Sequence, residues 1–411
     1  MRDKDLYAKI LGIETPWKVT DVDLALEKGE VLVHLVNEEK RPPCPECGKP
    51  CSGYDTRPRR WRHLDTCQYR TVLVAQVPRI ECPEHGVLQV RVPWGEPGSR
   101  FTALFEALVI DWLQEASISG VARLLRLDWG EVDRIMARAV GRGLARRERR
   151  LPRRIGVDET SFQKRHEYVT VVCDQEEGVV VHVADGRGQD CLDDFYKAFT
   201  EEERQAVESV AMDMWAAYIG STQHYIPDAK TKIAFDKFHV AQHLSKAVDK
   251  VRREENKGLV GQGDERLKGS KYLWLQNPGN MSDRRWASFE SLRESSLKTA
   301  RAWAIKELAM SLWGYTYRGS ARKAWKSWYS WASRSRLDPI KKVAKMVKSH
   351  LEGILTAIVR GVTNARSEGL NAKIQWIKYT ARGFRNRERF RNAIYFHLGG
   401  LDLYPEGARR G

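Results

Sequence analysis

The sequence predicts a multidomain α/β chain. A zinc ribbon comes first, a helix-turn-helix follows, and an α/β domain interrupted by a long all-α stretch completes it. Three observations carry this. Two Cys-Pro-Glu-x-Gly frames begin at Cys44 and Cys82. A pair of amphipathic helix patterns with a capping signal between them occupies residues 117–146. From Arg154 onward, three successive Val-rich strand patterns give way to alternating helix and strand patterns.

Composition narrows the function classes. The chain has 411 residues, 42% hydrophobic and 30% charged, which suits several globular domains and excludes wholesale disorder. No apolar run is long enough to span a bilayer, and the amino terminus lacks an apolar leader segment, so neither membrane nor export is expected. Seven cysteines, an odd number and mostly early, argue for a reduced cytoplasmic compartment over a disulfide framework. Lys and Arg number 70 against 54 acids, a net charge of +16. A field of that sign attracts phosphate backbones, so a nucleic acid is the expected partner, the alternative being a ribosome-associated or merely basic protein.

Residues 1–98 form the first expected domain. Trp17–Leu24 and Glu30–Val36 alternate at period two and read as strands. Cys44 and Cys47, with two residues between them, stand on a turn relieved by Gly48, and Cys82 and His85 repeat that frame, with 34 residues separating the two halves. Strand-like Thr71–Val77 lies between the two halves. Four ligands of this kind close a tetrahedral site around one structural Zn²⁺ ion, leaving no open position for chemistry. Cys51, Cys67 and His63 are spare ligand candidates. Arg57, Arg59, Arg60 and Arg62 flank Trp61, a cluster able to grip phosphate and stack, or else a solvated loop around one buried ring.

Residues 99–152 form the second. Ser117–Leu125 and Trp129 onward read as two helices, with Asp128 and Glu131 in capping-box spacing. Val132, Ile135, Met136, Ala139 and Val140 form the apolar stripe. Arg134, Arg138, Arg142 and Arg146 recur every four residues on another face, expected to meet DNA. Gly141 and Gly143 should weaken the helix, which would leave the last arginines on a linker.

Residues 153–240 carry the chemistry. Strands are expected at Ile155–Phe162, Tyr168–Asp174 and Gly178–Ala184, then a helix near Asp193, a strand over Val207–Trp215, a helix, and a strand over Thr231–Asp236. Three meandering strands followed by alternation is the order of the ribonuclease H-like fold, in which the first and fourth strands are neighbours. Asp158 on the first and Asp213 at the end of the fourth would converge. Paired carboxylates need a cation, and hard oxygen ligands suit two Mg²⁺ or Mn²⁺ ions. A third acid, Glu368, lies at the head of a later helix. Glu159 competes with Asp158, but strand alternation turns it to the other face. Asp236 and His239 stand where the fifth strand meets a helix, as accessory groups or as an N-cap and a packed ring. Gly383-Phe-Arg-Asn, with Arg385, is basic and aromatic and could hold a DNA end.

These motifs together make the chain resemble bacterial insertion-sequence transposases of the ISL-three family, a DDE-type group. The matching pieces, in order, are Cys44-Pro-Glu-Cys-Gly, Arg60-Trp-Arg-His-Leu-Asp, Cys82-Pro-Glu-His-Gly, Ile155-Gly-Val-Asp-Glu, Met212-Asp-Met-Trp, Asp236-Lys-Phe-His-Val, Thr363-Asn-Ala-Arg-Ser-Glu-Gly-Leu-Asn and Gly383-Phe-Arg-Asn. The resemblance implies Asp158, Asp213 and Glu368 as the catalytic triad, with Asp236 and His239 in an element shared with relatives that have helical insertions. It also implies that residues 241–360 are such an insertion, with 361–400 returning to the catalytic core; of the remaining tail, 401–411, the stretch from Pro405 is expected to fray, as chain ends do. The tryptophans of the insertion, among them Trp325, Trp328 and Trp331, are expected to pack helices, or one of them to stack on an unpaired base.

The implied activity is recognition of terminal inverted repeats, cleavage at the element ends and joining of the 3′ ends to target DNA, by at least a homodimer on DNA. The rival readings are a domesticated, non-catalytic DNA-binding repressor and a structure-specific nuclease of the same fold.

Overall fold

The computed structural model describes residues 3–163, 167–295, 297–363 and 365–408. The chain divides into two compact units, Met1–Glu148 with Glu388–Gly411, and Arg149–Arg387.

The first unit opens with helix α1 (Asp3–Ile10) and strands β1 (Trp17–Ala25), β2 (Glu30–Asn37), β3 (Ser52–Arg62), β4 (Arg70–Cys82) and β5 (Gly86–Gln89). They form one sheet in the order β1-β2-β4-β3, with β5 also on β4. The long β4 is central and β-branched, and its Leu73, Val77 and Ile80 are fully buried beside Val33 of β2. Trp94 packs edge-on against Trp17 and Trp61, with ring centroids 4.8 and 5.4 Å away.

Helices α2 (Ala103–Glu115), α3 (Ile118–Leu125) and α4 (Trp129–Arg146) follow. Their starts are chemically marked. Thr102, Ser117 and Asp128 each accept a backbone N–H from the first turn, and Glu131 completes a capping box with Asp128. Contrary to the sequence expectation, α4 runs unbroken through Gly141 and Gly143. Gly143 is a notch, since a Cβ there would lie 2.6 Å from Cβ of Leu401.

The last helix, expected in the catalytic core, and the tail beyond it group with the first unit by their packing. In the last helix, which starts at Arg387 and ends at Leu398, Arg389 pairs with Asp133 at 2.9 Å. Beyond it Leu403 is buried, and Tyr404 donates its hydroxyl to Asp111 at 2.7 Å. In the stretch expected to fray, Pro405 and Ala408 are buried, so it is bound as far as residue 408; 409–411 lie outside the described residues.

The second unit contains β6 (Arg154–Gln163), β7 (Glu167–Asp174), β8 (Val179–Asp185), α5 (Asp190–Lys197), α6 (Glu201–Gln205), β9 (Ser209–Met212), α7 (Ala216–Tyr225), α8 (Ala229–Lys232) and β10 (Ile233–Phe235). The sheet order is β10-β9-β6-β7-β8. The pairs β6–β7 and β7–β8 are antiparallel, while β6–β9 and β9–β10 are parallel. This is the ribonuclease H-like order.

The insertion comprises α9 (Lys237–Val260), α10 (Lys271–Leu275), α11 (Asp283–Arg293), α12 (Lys298–Ser311), α13 (Arg318–Ser333), α14 (Asp338–Ser349) and α15 (Leu351–Arg360), and α16 (Ala365–Thr380) returns to the sheet. The helix from Arg387 to Leu398 is α17. One apolar core runs from Val157, Met212 and Phe235 of the sheet through Leu244 to Trp274, Trp325 and Trp328 of the insertion. Gly353 of α15 has no room for a side chain against the Phe235 ring, so the insertion is seated directly on the sheet edge. Trp274, Trp325 and Trp328 pack helices, as expected; Trp331 does not, being 39% exposed.

Candidate active site and zinc cluster

Strand register brings three acids to one edge of the sheet. Gly156 of β6 pairs with Ala211 of β9, which pairs with Ala234 of β10. These strands run parallel, so two residues further along each come Asp158, Asp213 and Asp236. Each is held by a local backbone N–H. Asp158 accepts from Glu159 (2.8 Å), Asp213 from Trp215 (3.0 Å), and Asp236 from Phe238 (3.0 Å) as the N-cap of α9.

The fourth acid arrives on α16, which lies along β6. Gln375 donates to the Thr160 hydroxyl at 2.6 Å, Asn371 to the Glu159 carbonyl at 3.5 Å, and Ser367 packs over Gly156. Glu368 stands in the first turn of that helix. By strand alternation, Gly156, Asp158 and Thr160 share the face that α16 covers, and Glu159 takes the other.

The electrostatics show how costly these charges are. Burial pushes the Asp158 carboxyl up to about 6; Asp213 and Glu159 add to this, while the Glu159 N–H and His239 oppose it. Burial also raises Asp213, against the Trp215 N–H and His239, His243 and Arg187. Glu368 is raised by burial and then by Asp236, with His239 opposing. The field thus links Asp158 to Asp213, and Glu368 to Asp236, with His239 common to both pairs. Among the described residues, Glu368 Oε1 and His239 Nε2 are buried with no hydrogen-bond partner. Desolvated, mutually repelling carboxylates with an unsatisfied oxygen fit a divalent cation. The three triad acids are nevertheless not a set whose oxygens all lie within 4.8 Å of one another; among the described residues only the cysteine cluster is that tight.

Sequence reasoning missed Arg187, in the loop after β8. Its guanidinium lies between the rings of Tyr168 and Trp215, 4.5 and 4.6 Å from their centroids. Its Nη1 is 3.5 Å from Glu159 Oε1, and its carbonyl accepts the Trp215 indole N–H at 2.9 Å. The Gly-Arg-Gly sequence at a strand end was the available signal, with Gly186 in the left-handed region at φ +91°. His243, one turn beyond His239 on α9, was also missed. The Phe384 carbonyl accepts from Gln163 at the end of β6, and Arg385 beside it is exposed. Asn364 lies outside the described residues.

The four expected zinc ligands converge in the first unit. Sγ of Cys47 and of Cys82 are 3.8 Å apart, and Nδ1 of His85 is 3.8 Å from Cys44 Sγ and 3.5 Å from Cys82 Sγ. A tetrahedron with zinc–sulfur distances of 2.3 Å has edges of about 3.8 Å, so the spacing fits a zinc ion. Gly48 and Gly86 close the two frames at φ +74° and +70°, which explains a glycine at both places. The Cys82 thiol is drawn down to about 6, chiefly by its hydrogen bond with His85. Of the spare candidates, Cys51 is buried beside the cluster and bonded to the Lys49 carbonyl. Cys67 is exposed, and His63 is bonded to Thr102.

The basic residues divide. Arg57, Arg59 and Arg60 are exposed on the edge strand β3. Trp61 is buried, and Arg62 is turned inward to the His63 carbonyl at 2.6 Å, so neither joins that surface. Of the four arginines of α4 only Arg134 is exposed. Arg142 is 7% exposed and bridges Glu96 and Glu106, at 2.6 and 3.1 Å. Arg138 pairs with the same buried Glu106 at 2.5 Å, and Arg146 donates to the Tyr404 carbonyl at 2.6 Å. The four-residue repeat therefore does not make one DNA-facing row. Three of its members neutralise buried acid or cap the carboxy-terminal segment.

Comparison with known proteins agrees with this layout. A zinc-finger model of the transposases of IS204, IS1001, IS1096 and IS1165 matches residues 40–85, and a helix-turn-helix model of transposase family ISL3 matches residues 90–140. A DDE transposase model of the same family matches residues 155–394. A transposase for insertion sequence element IS1557 of Mycobacterium tuberculosis is 29% identical, over 94% of this chain and 93% of that protein. One for IS1001 of Bordetella parapertussis is 27% identical over 100% of both. With more than half of its length matched by the transposase model alone, the chain belongs to the ISL3 family of DDE transposases.

Proposed function

We propose that this chain binds the terminal inverted repeats of an insertion sequence, cleaves DNA at the element ends and joins the freed 3′ ends to target DNA, acting as a homodimer or larger assembly. Asp158, Asp213 and Glu368 would hold two Mg²⁺ (or Mn²⁺) ions. When bound, such ions supply charge neutralisation at the scissile phosphate and activation of the attacking hydroxyl. The chain's own groups do the rest. Asp236 fixes the start of α9 and so the place of His239, which acts electrostatically on Asp158, Asp213 and Glu368 and would contact a phosphate oxygen. Arg187, held over two rings and against Glu159, would present a fixed cation to the DNA strand. Hydrolysis breaks one P–O bond and leaves a 3′-hydroxyl, and attack by that hydroxyl on a target phosphate forms the new bond and expels a target 3′ oxygen.

In the first unit, Cys44, Cys47, Cys82 and His85 would hold one structural Zn²⁺ ion. Arg57, Arg59, Arg60 and Arg134 would contact DNA, and Arg385 would contact a cleaved end. The observation that carries the reading is the register that sets Asp158 beside Asp213, under a helix whose Glu368 keeps a buried, unsatisfied oxygen. The test is cleavage of a duplex carrying the element's own terminal repeat, with and without Mg²⁺. Asp158→Asn and Glu368→Gln should each lower the rate by three orders of magnitude or more while leaving repeat binding intact. Unchanged cleavage in either variant removes that residue from the triad. Repeat binding with no cleavage by the wild-type chain favours a repressor.

A further inference from the structure

We propose that the outer stripe of α13 is a second DNA-contacting surface, one that takes the sugar–phosphate backbone without regard to sequence. The proposal rests on the transposase reading and adds a surface outside the modules that reading uses.

No Asp or Glu occurs between Glu307 and Asp338, and only Asp338 between Glu307 and Glu352. The same stretch holds ten Lys and Arg residues. Some are matched. Arg318 and Arg322 both pair with Glu352, at 2.8 and 2.6 Å, and Lys341 pairs with Asp338 at 2.9 Å. Among the described residues no carboxylate pairs with Lys323, Lys326 or Arg334, and all three are exposed.

These three share one face. Lys323, Lys326, Ser327, Ser330, Trp331 and Arg334 line a single open depression of ≈ 520 Å³. Their spacing of three and four residues runs along about 16 Å of helix. The opposite face is fixed in the core by Trp325 and Trp328, with the Trp328 indole N–H bonded to the Ile305 carbonyl at 2.9 Å. The stripe is thus a rigid ledge whose cations face no carboxylate among the described residues, Arg334 being held in place by donating to the Ser330 carbonyl at 3.0 Å. Like charges one turn apart repel until an anion faces them.

A nucleic acid backbone suits this surface. Duplex DNA offers a negative charge for every ~1.7 Å of axis, enough for a 16 Å ledge to meet several phosphates. Serine hydroxyls between the cations donate to phosphate oxygens, and the exposed Trp331 ring offers an apolar plate to sugar or base. An anionic lipid surface would favour a broad apolar face, whereas here one indole stands among serines.

The experiment uses the full zinc-loaded chain and two duplexes of equal length, one with the terminal repeat and one of random sequence. Affinity is measured against salt concentration. K323Q/K326Q/R334Q should flatten the salt dependence for the random duplex by about 3 in the log–log slope, since each phosphate contact contributes ~0.9. Its affinity for that duplex should fall at least tenfold at low salt. The preference for the repeat should persist, and the charge-keeping K323R/K326R/R334K should behave as wild type. An unchanged slope in a variant that melts like wild type overturns the proposal, as does loss of binding to phosphatidylserine vesicles in place of DNA. If the wild-type chain binds neither duplex, the transposase reading itself has failed.

Discussion

The Ser367 hydroxyl occupies the space that a side chain at Gly156 would fill. An added Cβ there would overlap Ser367 Oγ, Gln175 Nε2 and Cys173 Sγ. Ser367 is itself buried and bonded to Gln175 at 2.8 Å and Cys173 at 3.2 Å. A strand residue two positions before Asp158 therefore sets how closely the helix carrying Glu368 approaches the sheet. Two elements more than 200 residues apart in sequence meet through the one residue type that leaves no bulk between them.

Gly156→Ala should consequently displace α16. Overpacking of this kind costs about 1–3 kcal/mol, and the displacement should lower cleavage by at least tenfold with repeat binding unchanged. Melting temperature and cleavage rate measured on the same preparation check it. A variant that keeps wild-type cleavage would show that α16 does not depend on this contact.

Arg187 is fixed by two rings and a carboxylate, so its charge is paid for before any DNA arrives. Arg187→Ala should reduce cleavage by about a hundredfold, in the range of lost transition-state contacts. Arg187→Lys should recover little of it, because an ammonium lacks the planar, delocalised cation held over Tyr168 and Trp215. Single-turnover cleavage at saturating DNA separates this from a binding defect; equal rates for the Lys and wild-type chains would mean that only the charge matters.

The arginines of α4 should behave as two classes. Arg142 and Arg138 both pair with Glu106, which is 1% exposed, so Arg142→Ala leaves that buried carboxylate on Arg138 alone and should cost about 1–3 kcal/mol. Arg134→Ala should shift stability by less than about 0.5 kcal/mol and flatten the salt dependence of DNA binding by about one unit of slope. Denaturant unfolding and salt titration of both variants distinguish the roles.

Local chemistry explains what could be read in advance. The Asp128–Glu131 box, the Cys-Pro-Glu-x-Gly turns and the strand order through β10 each depend on residues within one element or its neighbour. Readings that failed needed partners far along the chain. Gly143 looked like a helix breaker until Leu401 came to rest on it. Arg142 looked like a DNA contact until Glu96 and Glu106 enclosed it. Trp61 looked like a stacking platform until Trp94 covered it. Arg187 gave no periodic signal, because its significance lies in two aromatic rings from other strand ends.

His63 gives the first unit a pH dependence. Burial, helped by Arg62, holds its imidazole down at about 4, against 6.5 for the free group. The folded state therefore favours the neutral ring. The stability it contributes is intact above pH 6.5 and drains away as pH falls from there toward 4, because the unfolded chain takes up the proton first. The loss amounts to at most about 3 kcal/mol. Unfolding in saturating zinc between pH 7 and 5 should show a slope that His63→Gln reduces. An identical slope in the two chains would place the titration elsewhere.

Zinc removal should act on one module. The Cys44, Cys47, Cys82 and His85 atoms are drawn together from two turns of the β sheet, and without an ion the clustered thiols gain no compensating interaction. Structural zinc contributes about 10–16 kcal/mol in small domains, more than a module of this size otherwise holds. Chelation should therefore unfold residues 40–85 and abolish repeat binding. Helical signal from the second unit should persist, since its core runs through Val157, Phe235 and Trp325 and contains no ligand residue. Circular dichroism and repeat binding before and after chelation, with zinc added back, make the test. Repeat binding that survives complete zinc loss would separate the ribbon from DNA recognition.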